Sequence, residues 1–311
     1  MSYQFSIDRT SPAKVSALVV IAMVFIVVAG YVLAACGDRT PKPASAGEPV
    51  VSTPAADPVA GPAETSTLII AGPVSFGLAD SAYRDRRYDD AVTLFEVYTE
   101  EHSTNPWGFY MLGLSAWKSG EGEQAEIAFG RALALDSNHV KSHINLSRVL
   151  LEGAKPESAL VHIETAITLD STSSEPLRLL GRAYEGLGRT DEAIAAYHRA
   201  IGRNDGDVWA LNNLGALYIK LDRFEDAIGP LARALELEDG VATFYNNLGM
   251  ALELTGRFSA ASEAYRAALA IEGTYGKAVA NLARVEQVKE DPSVPPVDLS
   301  ERSRQFQQTP R

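Results

Sequence analysis

Asparagines return at a fixed interval in this chain: Asn213, Asn247 and Asn281 stand 34 residues apart, and Asn145 stands two such steps before Asn213. Asn212 and Asn246 sit beside two of them. A side-chain amide both donates and accepts hydrogen bonds. A row of amides can therefore hold the backbone of an extended peptide without reading its side chains. Asparagine is a poor helix former that usually sits at caps, so its recurrence at one register needs a reason. Bonding from one helix to the next would be another such reason. Near the row lie four cations, Lys141, Arg148, Arg178 and Arg182. Arg offers a planar fork to a carboxylate, and the cluster suits an acidic peptide. Ion pairs with Glu152, Glu175 and Glu185 would use the same cations internally. Trp107, Tyr110, Trp117 and Trp209 either anchor a partner or pack between neighbouring elements.

Other chemistry has less behind it. His139 and His143 are four apart, the spacing of two metal ligands on one helix face, but no Cys and no suitably placed Glu completes a set. Gly186 and Gly188 follow no strand, so they read as a turn and not as a phosphate loop. Ser, His and Asp form no recognisable nucleophile–base motif. The sequence thus predicts a non-enzyme with no cofactor, no metal and no small-molecule substrate. Its 40 acidic and 28 basic side chains give a net charge of −12. Phosphate binding needs a basic stripe, so nucleic acid is not the expected partner.

The elements that position these residues are set by the period itself. Six units of 34 residues start at 72, 106, 140, 174, 208 and 242, with no insertion or deletion. Position 7 is Leu78, Leu112, Leu146, Leu180, Leu214 and Leu248. Position 8 is Ala79, Gly113, Ser147, Gly181, Gly215 and Gly249. Position 20 is always alanine: Ala91, Ala125, Ala159, Ala193, Ala227 and Ala261. Position 24 is large, as Phe95, Phe129, Ile163, Tyr197, Leu231 and Tyr265. Position 27 is Tyr98 and then five alanines. Each unit reads as two amphipathic helices. The small residues let the pair approach closely, and Gly120, Gly188 and Gly256 fall where the chain turns between them. No unit can bury its own face, so stacking must make the core.

This spacing resembles the tetratricopeptide repeat over residues 72–275. The departures are at the tryptophan site, position 4, and at the missing late proline. The resemblance implies an all-α, right-handed superhelical solenoid, with units 72–105, 106–139, 140–173, 174–207, 208–241 and 242–275 and a capping helix over 276–290. It also implies that the first helix of each unit lines a concave face, with positions 2, 5, 6, 9, 12 and 13 turned to it. The asparagines, Lys141, Arg148, Arg178, Arg182 and Trp209 would then line a peptide groove. The asparagine row is similar to the ladder in the repeats of O-GlcNAc transferases, although nothing here resembles their catalytic half. On this reading Asn213 and Asn247 are exposed and contribute little to stability. The carboxylate clamp of tetratricopeptide cochaperones is not matched, since Thr243 and Asn247 stand where it needs cations.

Outside the repeats, Val15–Ala35 is a charge-free apolar run. At about 1.5 Å per residue it is long enough to span a bilayer core. It ends in Leu33-Ala34-Ala35-Cys36, which resembles the bacterial lipobox, and Cys36 is the only cysteine. Residues 1–35 therefore read as a signal peptide or transmembrane anchor, with lipidation at Cys36 in the first case. Gly37 in place of an aspartate favours the outer membrane. Residues 36–71 are rich in Pro, Ala, Ser and Thr and read as a tether. Residues 291–311 read as a disordered tail. The expected protein is a membrane-tethered scaffold on the exported, periplasmic side of a bacterial envelope, binding a protein or peptide partner. By analogy its complexes are those of pilus, secretin or cell-wall machinery. The alternative is a self-associating spacer whose groove is filled by its own tail, with Phe306 as the anchor.

Overall fold

The computed structural model describes residues 72–309. Val15–Ala35, Cys36 and the tether lie outside the described residues. Among the described residues no helix is long and apolar enough to cross a membrane.

Twelve helices form six antiparallel pairs: α1 (Phe76–Arg84) with α2 (Tyr88–Glu101), α3 (Pro106–Ser119) with α4 (Gly122–Leu135), α5 (Val140–Glu152) with α6 (Pro156–Leu169), α7 (Glu175–Gly186) with α8 (Thr190–Arg203), α9 (Val208–Lys220) with α10 (Phe224–Leu237), and α11 (Ala242–Leu254) with α12 (Phe258–Ile271). A thirteenth helix, α13 (Gly276–Val285), stacks on the last pair and ends five residues short of the expected 276–290. The result is an all-α solenoid. Helix starts follow local chemistry. Proline occupies the first turn of α3, α6 and α7, where its missing N–H is no loss. Ser75, Asn105 and Asp207 cap α1, α3 and α9 with their side-chain oxygens.

One contact recurs inside every pair. The six alanines at position 20 and the six large residues at position 24 are all fully buried. In the four repeats where position 8 is glycine, the position-24 side chain lies directly against it. A Cβ added to Gly113, Gly181, Gly215 or Gly249 would sit 2.7, 2.5, 2.4 or 2.5 Å from Phe129, Tyr197, Leu231 or Tyr265. Each such buried side chain contributes roughly 1.5–3 kcal/mol, and the contact exists only because position 8 is small. Each second helix also packs on the next repeat's first helix, and first helices touch at the joints α1–α3, α3–α5, α5–α7, α9–α11 and α11–α13.

The tail differs from its expectation. Residues Leu299–Gln308 form a helix, α14, capped by Asp298, which accepts from Glu301 N at 3.0 Å. It docks on α10, a second helix, and so not on the first-helix face where the tail-in-groove reading put it. Gly229 provides the seat: a Cβ there would lie 3.0 Å from Phe306 Cβ and 3.3 Å from the Arg302 carbonyl. Arg302 donates to Glu225 Oε2 at 2.9 Å, Ser303 donates to Glu236 at 2.5 Å, and the Phe306 ring stacks at 6.3 Å on His198. The tail reads as disordered because its helix is polar around most of its circumference. Leu299, Arg302, Ser303 and Phe306, three, one and three residues apart, make the narrow face that docks.

Every turn within a pair closes the same way. Position 15 is left-handed in all six repeats: Arg86 (φ 59°), Gly120 (90°), Ala154 (53°), Gly188 (69°), Asp222 (57°) and Gly256 (81°). The following N–H then bonds the carbonyl five residues back, as Lys155 does to Leu150 at 2.8 Å and Arg189 to Tyr184 at 2.8 Å. Glycine reaches this conformation without strain, whereas a Cβ costs about 1–2 kcal/mol. Ala154→Gly should therefore raise the thermal midpoint, by a net of roughly 0.5–1 kcal/mol after glycine's entropy is offset. Gly188→Ala should lower it. Matched melting curves of the two variants check the sign, and a lower midpoint for Ala154→Gly would contradict the strain argument.

Candidate peptide-binding face

The asparagine row lies on the first helices but not in the open. Asn212, Asn213, Asn246 and Asn247 are fully buried, and Asn145 and Asn281 nearly so. Asn247 Nδ2 donates to Asn212 Oδ1 at 2.9 Å, and Asn281 Nδ2 donates to Asn246 Oδ1 at 3.0 Å. Asn145 Nδ2 reaches the Tyr110 hydroxyl at 3.3 Å. All three bonds join position 6 of one repeat to position 5 of the repeat before. The expectation that Asn213 and Asn247 are exposed is therefore corrected. Consecutive first helices approach so closely that positions 5 and 6 form the seam between them, and a buried amide must find partners there. Asn212, Asn213 and Asn247 each carry a further interaction besides these.

The cations divide. Lys141 is exposed. Arg178 is buried, 3.3 Å from Asp207 and 3.8 Å from Glu175, so it belongs to the seam between the fourth and fifth repeats. Arg148 pairs with Glu175, donates to Asn145 Oδ1 at 3.2 Å and lies 5.6 Å over the Trp117 ring. Burial, with Arg178 and Arg182 nearby, pulls its guanidinium down to about 10. Arg182 is partly exposed and makes no ion pair among the described residues; burial lowers its pKa too. Arg148 Nε and Arg182 Nη1 are buried N–H groups with no hydrogen-bond partner.

Aromatic side chains continue this surface toward the first repeats. Trp107 is 49% exposed and packs edge-on against Tyr110 and His139, at 5.6 and 4.8 Å. Trp117 is half-buried and donates Nε1–H to Glu152 at 2.7 Å. Trp209 instead packs at 5.1 Å on Phe244 of the next repeat, which makes it part of the array's own packing.

His139 and His143 do not converge on one site. His143 Nε2 lies 3.0 Å from the Ser137 carbonyl, which can only accept, so that nitrogen carries the proton. With that proton on Nε2, His143 Nδ1 accepts from His162 Nδ1–H, 3.1 Å away. His139 turns to the Ser142 hydroxyl. Among the described residues no three His, Cys, Asp or Glu form a metal-holding group. Two participants escaped the sequence reading. His162 sits on a second helix, and only pairing that helix with position 4 would have found it. Asp207 caps α9 through Ala210 N at 3.0 Å, accepts from Ser174 at 2.8 Å and pairs with Arg178; an aspartate just before a helical run was the available signal.

The seam gives the first prediction here. Asn247→Ala removes the donor from the buried Asn212 oxygen and should cost about 1–3 kcal/mol, where Lys141→Ala, on an exposed side chain, changes little. Urea denaturation of the two variants compares them. The histidines give the second. Burial, then His143, lowers the His162 pKa below its usual 6.5, and burial foremost lowers that of His139. The unfolded chain therefore takes up protons first as the pH falls through 6.5, and stability present above that value is lost below it. The thermal midpoint should drop between pH 7.5 and 5.5, above the carboxylate range, and His162→Gln should flatten that slope.

Comparison with known proteins agrees with the helix pairs. Three family models described as tetratricopeptide repeat match residues 110–174, 174–217 and 208–272, which together span more than half of the chain. No curated protein matches the sequence. Among solved structures, a tetratricopeptide repeat protein from Parabacteroides merdae is similar at TM-score 0.58 and 13% identity, covering 68% of this chain and 82% of that one. PilF from Pseudomonas aeruginosa is similar at TM-score 0.52 and 18% identity, covering 65% and 88%. MamA from Desulfovibrio magneticus RS-1 matches at TM-score 0.49 and 21% identity, covering 52% and 92%. At these identities the likenesses concern the fold. The repeat matches, with the six helix pairs and their recurring contacts, place the chain in the tetratricopeptide-repeat family.

Proposed function

We propose that this protein is a non-catalytic scaffold, tethered to a bacterial envelope membrane through its N-terminal segment, that captures an extended, acidic and partly apolar segment of a partner protein. Capture takes place along the first helices of the second to fourth repeats. The observation that carries this reading is the surface made by Trp107, Trp117, Arg148 and Arg182, with the buried Tyr110 beneath Trp107. Half-exposed rings stand beside guanidinium groups whose buried N–H groups lack partners. Among the described residues Arg182 makes no salt bridge, although Glu152 and Glu185 lie within electrostatic reach, and its partnerless Nη1–H is left for an outside carboxylate. Charge-assisted bonds of this kind contribute about 1.5–3 kcal/mol each. The apolar run Val15–Ala35 and the lipobox-like ending at Cys36 support the tether, and the envelope location follows from them. Assembly of an envelope complex is the role that fits such a scaffold.

A panel of extended peptides tests the binding. Acidic peptides with aromatic or aliphatic residues should bind the full chain, and Arg182→Ala should weaken them roughly tenfold or more, in line with one lost charged contact. Equal binding by Arg182→Ala, or no discrimination against basic peptides, would remove the basis of this reading. Intact mass and fractionation of the same protein beside Cys36→Ala read the tether. A chain beginning at Cys36 with added acyl mass, lost in the variant, is the expected result.

A further inference from the structure

The joints between repeats are not equally close. Of the consecutive first helices, α7 and α9, on either side of the joint between the fourth and fifth repeats, approach each other least. The second helix before that joint, α8, also packs on the following first helix less extensively than any other second helix does. The buried apolar residues divide in the same place. One main cluster runs from Val74 to Ala196 and the other from Leu177 to Val285, so they part within the fourth repeat. Polar contacts cross this joint on the first-helix side. Arg178 lies 3.3 Å from Asp207, Ser174 donates to Asp207 at 2.8 Å, and Lys220 donates to Glu185 at 3.0 Å. Arg178 Nη1 is buried there without a hydrogen-bond partner among the described residues. Water can take over such contacts when a joint opens, whereas apolar surfaces lose by being parted.

On the outer face the same joint is crossed by the tail. The connection out of α13 runs back along the second-helix side. Ser259 N donates to Glu290 at 3.1 Å, a Cβ on Gly256 would lie 3.5 Å from Val294, and Arg257 Nε donates to the Pro295 carbonyl at 3.2 Å. Helix α14 then seats on α10 of the fifth repeat, while its Phe306 ring reaches His198 on α8 of the fourth. We infer that the array hinges between the fourth and fifth repeats and that the tail is a strap across the hinge, holding the two halves at one angle while α14 is docked. The strap is built to let go. Ser303 is the only buried residue of α14. Arg302 and Glu225 meet where both are partly open to water, so salt screens the pair. In a solenoid whose units contact only their neighbours, one loose joint divides the molecule into two stiff arms. Arg178 stands one turn from Arg182 and within electrostatic reach of Arg148. A change of angle therefore moves the charged stretch of the first-helix face, a consequence that rests on the reading of that face as a peptide groove.

Spin labels read the hinge in the full chain carrying Cys36→Ala. One pair, Glu164→Cys with Glu263→Cys, spans the joint from the third repeat to the sixth. A second pair, Thr93→Cys with Glu164→Cys, stays within the first three repeats. All of these side chains are exposed. Replacing residues 299–309 by a Gly-Ser sequence of equal length removes the strap and leaves the repeats whole. Dipolar distances across the joint should then broaden by several ångström, while the second pair keeps its distribution. Unchanged distances across the joint would overturn the strap. Equal broadening of both pairs would overturn the hinge, by spreading the motion over the array. An acidic–apolar peptide from the panel above separates the hinge from the groove. It should bind the replaced chain several-fold more weakly than the wild type. Equal binding to both would overturn the link between hinge and face and leave the groove reading standing. Binding to neither would remove the groove reading, and the distances alone would decide the hinge.

Discussion

The array depends on one contact, the large side chain at position 24 against the small residue at position 8. It fixes how closely the helices of a pair approach, and that approach sets the geometry of everything stacked on them. A Cβ at Gly215 would enter the space of Leu231 at 2.4 Å, far inside van der Waals distance. The period survives in the sequence because each repeat must solve this packing problem again, with the same two positions and nearly the same volumes. Where position 24 is tyrosine, the same contact also orients a polar group. Tyr265 donates to Glu253, which holds Arg284 of α13, and Tyr197 donates to Glu185, which holds Lys220. The core thus hands a hydrogen bond from one repeat to the next.

The seam between first helices solves the opposite problem with polar atoms. An apolar seam would be as close but indifferent to register. Position 6 donating to position 5 fixes the offset of successive repeats, because an amide one turn out of place would lose its partner. At the joint between the fourth and fifth repeats, position 5 is Arg178, which cannot accept, and the cation turns to Asp207. This exchange of one seam chemistry for another falls beside Arg148 and Arg182, the charged stretch of the face. Structural residues and the residues proposed for recognition therefore lie side by side.

The helix pairs were legible because burial at positions 7, 20 and 24 leaves a pattern in one dimension. The face was only partly so. Asn213 and Asn247 looked exposed because sequence shows which side of a helix a residue occupies, not how near the next helix lies on that side. Arg148 and Arg178 have similar neighbours in sequence, yet only Arg178 lies against an N-capping aspartate. The docked tail escaped for a related reason: its partner is Gly229 on α10, whose value as a seat appears only when Phe306 is on it.

The turn residues have a further consequence. Glycine holds position 15 in the second, fourth and sixth repeats, while Arg86, Ala154 and Asp222 hold the same left-handed conformation in the first, third and fifth. Relaxed and strained turns therefore alternate, and the array has a period of two repeats in local stability beneath its period of one in fold. In a solenoid, where each unit contacts only its neighbours, such alternation makes the natural breathing unit a pair of repeats. Thermal opening would then expose the chain in two-repeat steps, each bounded by an unstrained glycine turn.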